Sequence, residues 1–191
     1  MRYAIIPLVL LVGWLAGCET QSSVKPIETL DERTGATVGA LLEAIELVPS
    51  AQTAVLSVHR RTTFAYLGPV ELDRAGTISY SLWIHIAPGN DNQPADIHAA
   101  GALTLVLDDG SVALSIVDGP TLGHDPYKGA VSWGQTAYFN LDVNTLKRMA
   151  ASRKLDLDVR ALGGQVVHFS PTLDTRPVLT QYLQARGITA D

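Results

Sequence analysis

The 191-residue chain has a single cysteine, Cys18. One thiol excludes any intrachain disulfide, so stability must come from packing. Basic charge is also short: 14 Lys plus Arg stand against 19 Asp plus Glu, a net of −5, with no basic stripe. That balance argues against a nucleic-acid partner and against a polybasic contact with anionic headgroups. The chain carries no G-x-S-x-G elbow, H-E-x-x-H pair, P-loop or G-x-G-x-x-G turn, the signatures that tie residue spacing to a specific chemistry. It has no internal repeat and no low-complexity tract. The apolar run at the start, Tyr3 to Cys18, is 16 residues long and holds Pro7. It is shorter than the ~20 residues a helix needs to span a bilayer, and proline inside it disfavours a free-standing helix.

What is present at that end is ordered. Arg2 precedes the apolar stretch Tyr3–Trp14, which leads into Leu15-Ala16-Gly17-Cys18. A positive n-region, an apolar h-region and a small-residue cleavage site form a secretory signal. The L-A-G-C ending resembles the lipobox of bacterial lipoproteins. The resemblance implies removal of residues 1–17 and acylation of Cys18 as the new first residue, which would also occupy the only thiol. Each buried methylene adds ~0.8 kcal/mol, and stable anchoring takes about two chains. Glu19, rather than aspartate, follows the cysteine. In that family this implies the outer membrane, with the domain facing the periplasm. The run Thr29–Gly35 resembles a segment of bacterial lipoproteins and brings no activity with it. Removing residues 1–17 takes away only Arg2 and leaves 174 residues with 13 basic and 19 acidic side chains, net −6. That length suits one domain with a core of its own.

Residues 18–28 read as a lipidated cysteine and a polar tether, and 29–191 as one β-rich domain. Val38–Val48 is ambiguous: Leu41, Leu42 and Ile45 fit a helix face, but Pro49 stops it. From about Thr53 the period is two. Ile78, Tyr80, Leu82, Ile84 and Ile86 share one strand face, with Trp83 and His85 on the other. Leu103, Leu105 and Leu107 alternate ahead of Asp109-Gly110, a hairpin signal, and Val112, Leu114 and Ile116 alternate after it. Ala137, Phe139 and Leu141 form one further inward set, and Leu155, Leu157 and Val159 another. Asp142 can cap a helix over about 143–151, and Asp174 one over about 175–186 that ends at Gly187. The expected architecture is an antiparallel β-sandwich or open barrel of about eight strands with these two short helices.

Strict antiparallel succession places the connections Ala87–Gly101 and Asp118–Lys128 at one end of the sheet. They carry Asp91, Asp96, His98, Asp118, His124 and Asp125. Asp96, His98, His124 and Asp125 are therefore candidate metal or ligand residues, although loops are made of such residues in any case. Trp83 and Trp133 are candidate surface aromatics, with core packing the alternative. His85 fits either packing beneath a loop or a partner surface. His168 fits a satisfied strand histidine, and His59, Arg60 and Arg61 an anion contact or an exposed strand end. No cofactor is implied. The primary expectation is a lipid-anchored, non-enzymatic binding or envelope-assembly module. The alternative is a metal- or carbohydrate-directed activity, hydrolytic in one form, at a rim holding His98 and His124. A lipid or small-molecule carrier fits least, because the inward positions are Leu, Ile and Tyr rather than small residues.

Overall fold

A computed structural model of the chain describes residues 25–50, 64–87, 97–99, 101–160 and 166–189. Its strands are β1 (Pro26–Asp31), β2 (Ala36–Leu41), β3 (Ile45–Pro49), β4 (Phe64–Arg74), β5 (Thr77–Ala87), β6 (Leu103–Leu107), β7 (Gly110–Ala113), β8 (Ile116–Val117), β9 (Gln135–Asn140), β10 (Leu155–Arg160) and β11 (Val166–Pro171). Two helices are described, α1 (Val143–Ala151) and α2 (Arg176–Ala185). All eleven strands join one antiparallel sheet in the order β7-β6-β10-β11-β3-β4-β5-β9-β8, with β2 on β4 and β1 on β2. The sheet curls into a half-barrel, the open-barrel form of the expected architecture.

The count exceeds eight because β1 forms where a tether and turn were expected and because two continuous runs are interrupted. β2 and β3 lie in tandem against the long strand β4. β7 and β8 are separated only by Leu114 and Ser115, yet pair with β6 and β9, far apart in the strand order. The three residue steps from Ala113 to Ile116 reach ~10 Å at most, so the sheet must curl to bring β6 and β9 that close. Backbone bonds from Leu114 to Leu103 (3.2 Å) and from Asn140 to Ser115 (2.8 Å) hold the junction.

Residues paired across strands share a face. On the concave face, Leu82 pairs with Phe139, Leu67 with Ile45, and Leu157 with Leu105 and Phe169. All are buried in one core with Leu146 and Met149 of α1 and Leu179, Tyr182 and Leu183 of α2. Each such side chain contributes roughly 1.5–3 kcal/mol on burial. Asp142 caps α1 as expected, accepting from the Thr145 amide (2.8 Å) and hydroxyl (2.9 Å).

At α2 the cap differs. Thr175 is the N-cap and makes no side-chain capping bond. Asp174 accepts from the Arg176 amide and guanidinium instead, which hold its carboxyl down at about 2. Gly187 ends the helix in the left-handed region, at φ +67°. The last turn docks on the β1–β2 hairpin: Tyr182 Oη donates to the Gly39 carbonyl, and Arg186 reaches Glu28 at 2.8 Å and Glu71 at 3.6 Å. A Cβ at Gly39 would come within 2.5 Å of the Arg186 guanidinium, so a larger residue there would displace that side chain from Glu28 and Glu71.

The ambiguous Val38–Val48 segment is strand. Because β1 begins at Pro26, residues 26–28 belong to the fold, not to the tether expected through Glu28. The Asp109-Gly110 hairpin forms, but its two-residue loop is Asp108-Asp109, and Gly110 already pairs with Leu107.

Candidate functional site

The convex face of β2, β4, β5 and β9 lies beneath the connection 118–134. This connection runs flat against the sheet, with glycine where backbone meets a side chain. The Tyr127 ring rests on Gly68, where an added Cβ would come within 2.3 Å of it. Its hydroxyl fills a gap in the sheet, accepting from the Leu41 amide and donating to the Pro69 carbonyl, both at 2.9 Å. In the β2–β4 register Leu41 would stand opposite Pro69. Proline has no amide to offer, and the phenol completes the ladder there. Burial raises the Tyr127 phenol well above its ordinary range.

His85 is 1% exposed beneath the same connection. It stacks on Trp83 at 5.8 Å, and its Nδ1 lies 2.8 Å from Thr136 Oγ1. Gly129 and Gly134 press on the ring edge, and Nε2 has no hydrogen-bond partner. A lone pair without a donor costs less than a buried N–H without an acceptor. The favoured tautomer therefore carries its proton on Nδ1 and donates to Thr136. In that state the imidazole cannot take the threonine proton, so the pair is structural and not a nucleophile with its base. Desolvation pushes the imidazole below its ordinary value.

Trp83 is 1% exposed and packs on Tyr127, so the surface reading of Trp83 is corrected: the connection covers it. Trp133, at 69%, is exposed.

Before reaching Tyr127, the connection crosses the first hairpin. The β1–β2 turn is organised by Asp31, whose carbonyl accepts from Thr34 and Gly35 and whose carboxylate binds the Thr34 hydroxyl. Asp31 also accepts from the Gly123 amide (3.0 Å), and Arg33 Nη2 donates to the Leu122 carbonyl (2.7 Å). The Thr34 hydroxyl and the Gly123 amide keep the Asp31 carboxyl below its ordinary value. These bonds tie the connection to the turn but leave a cleft of about 860 Å³ between residues 123–126 and the hairpin. Ile27, Val38 and Ala40 contribute its apolar lining, and Asp31, Glu32, Asp125 and Arg33 its charges. Its size falls in the ordinary range for ligand sites.

His124 and Asp125 line this cleft. His98 does not. It lines a second depression, of about 700 Å³, with Val117, Asp118, Thr136 and Tyr138. The two loops do meet at this second depression, where His98 shares the lining with Asp118 and Gly119, and the Ile97 amide donates to Gln135 Oε1 of β9 at 2.9 Å. The second loop then travels on to the first hairpin, carrying His124 away from His98. Among the described residues, no three His, Cys, Asp or Glu side chains group as a metal site. Asp91, Asp96, His59, Arg60, Arg61 and Cys18 lie outside the described residues. His168 is satisfied as expected, 2.6 Å from Asp158 on the paired strand.

The cleft residues Val38 and Ala40 carried one local signal, the apolar set Ala36, Val38 and Ala40 along one face of β2. What they face was hidden, because Gly123 and Asp31 are 92 residues apart.

No protein-family model matches the chain, no curated protein matches it, and no solved structure matches it.

Proposed function

We propose that the chain is a lipoprotein anchored through Cys18 to the periplasmic face of the outer membrane, and that its half-barrel is a non-enzymatic module that binds an envelope protein. The L-A-G-C run supports the anchor. The carrying observation for binding is the open cleft between the first hairpin and residues 123–126, fixed in shape by the Asp31–Gly123 and Arg33–Leu122 bonds. A preformed cavity with an apolar lining and a few fixed polar groups is what recognition needs. The two histidines of the metal-directed alternative sit in separate depressions, which gives that alternative no support.

Proximity crosslinking in intact cells tests the proposal, using the full-length protein, Cys18→Ala and the cleft variant Val38→Asp. The expected result is outer-membrane fractionation of the parent and a small, reproducible set of envelope proteins. Both should be lost in Cys18→Ala, whereas Val38→Asp keeps its location and loses the partners. Because Val38 is 4% exposed, the reading requires that its circular dichroism match the parent and that Glu32→Lys, at another cleft-lining position, lose the same partners. An unchanged partner set in Val38→Asp removes the cleft from the account.

A further inference from the structure

The first hairpin is asymmetric. β2 is paired on both sides, with β1 and β4, whereas β1 pairs only with β2 among the described residues. An edge strand presents a row of backbone donors and acceptors to any extended chain, and natural proteins normally blunt it. β1 instead carries Leu30, 65% exposed, one residue before its end. Of the two charges on β1, Glu28 is tied to Arg186 and Asp31 to Thr34 and Gly123.

Resting on the binding-module reading above, we infer that the cleft takes an extended segment of a protein partner, apolar at alternate positions and carrying Lys or Arg, which adds to β1 as a further strand. Main-chain bonds to a sheet edge supply affinity, and pockets for alternate side chains supply specificity. The pocket floor is present: Ile27 on β1 beside Ala40 on β2, and Val38 two pairs along, all on the same face.

The sign of charge decides the chemistry of the occupant. Asp31, Glu32 and Asp125 outnumber Arg33, which leaves the rim net acidic. An acidic rim attracts basic side chains and repels lipid phosphates. Location narrows the partner further. Pro26 follows Cys18 by eight residues, a reach of about 30 Å at most, so with Cys18 in the membrane the bound segment lies close to the bilayer surface.

The test is selection of a random nonapeptide display library on the full-length lipidated protein in neutral detergent micelles. Alternating apolar and Lys or Arg sequences should be recovered. Their binding should weaken about tenfold in high salt and at least tenfold in the Glu32→Lys/Asp125→Lys variant, whose circular dichroism should match the parent. N-methylation along a recovered peptide should abolish binding at every second residue, the signature of a strand ladder. Peptides without basic enrichment, or an N-methyl scan without that period, overturn the inference, as does retention of the protein by anionic phospholipid vesicles in place of peptides. If no peptide is recovered while Val38→Asp still loses its crosslinked partners in cells, strand addition fails and the binding module stands. If those partners are also unchanged, both fail.

Discussion

The two faces of the half-barrel are closed by different means. The concave face is filled by aliphatic side chains from strands and two helices, repeated row after row. The convex face is closed by one connection, through a phenol in a ladder gap, a histidine clamped between glycines, and two bonds to the first hairpin. The first kind of closure is redundant, because each row adds to its neighbours. The second is a chain of single contacts, so it can end where the chain lifts away, and there it leaves a cleft. The concave face therefore carries most of the stability, and the convex face carries the cleft on which the proposed binding rests.

The comparison predicts an ordered set of losses. Phe169→Ala on the concave face should cost about 3–5 kcal/mol, seen as a lower urea midpoint by circular dichroism, and should unfold the whole domain. Gly68→Ala pushes a Cβ into the Tyr127 ring and should cost about 2–3 kcal/mol through overpacking and displaced bonds. Tyr127→Phe leaves the Leu41 amide and Pro69 carbonyl unpaired and should cost about 1–3 kcal/mol. It should also speed hydrogen exchange at Leu41 more than at Leu105. If Tyr127→Phe proves as costly as Phe169→Ala, the two faces are not distinct in kind.

His85 sharpens the contrast through pH. Burial lowers its folded value below the unfolded ~6.5, so between those two values the unfolded chain binds more protons. The His85 contribution is thus complete above about 6.5 and is lost as pH falls toward the folded value. Unfolding midpoints measured from pH 8 to pH 5 should decline in the parent. His85→Asn should decline less, and an equal slope in both would remove His85 from the convex closure.

The smallest effect belongs to the β4–β5 turn, outside both closures. Ala75 stands at φ +53° beside Gly76 at +86°, the conformation of a turn that favours Asn-Gly. Ala75→Asn should raise stability by about 0.5–1 kcal/mol, read as a higher melting temperature with unchanged binding.

The same contrast explains what was legible in the sequence. Leu103, Leu105 and Leu107, the Asp142 cap and the α2 face Val178, Leu179, Tyr182 and Leu183 are local patterns, and they stand where expected. The convex closure depends on pairs far apart in sequence. Tyr127 meets Leu41 across 86 residues and Pro69 across 58. Alternation placed Trp83 and His85 opposite the aliphatic face but could not show that a loop covers them. Strict antiparallel succession failed wherever consecutive strands do not pair: β6 follows β5 yet pairs with β7 and β10, β8 follows β7 yet pairs with β9, and β9 pairs with β5 and β8 rather than β10. The single rim expected for His98 and His124 divides for a related reason, since the connection runs on from β8 to β1.

The most direct test of the central claim is site-specific photo-crosslinking in intact cells, with the photoreactive residue at Thr29 in the cleft or at Val117 in the second depression. The account predicts a discrete envelope-protein adduct from Thr29 and none from Val117. An adduct from Val117 alone, or none from either position in correctly anchored protein, would contradict it.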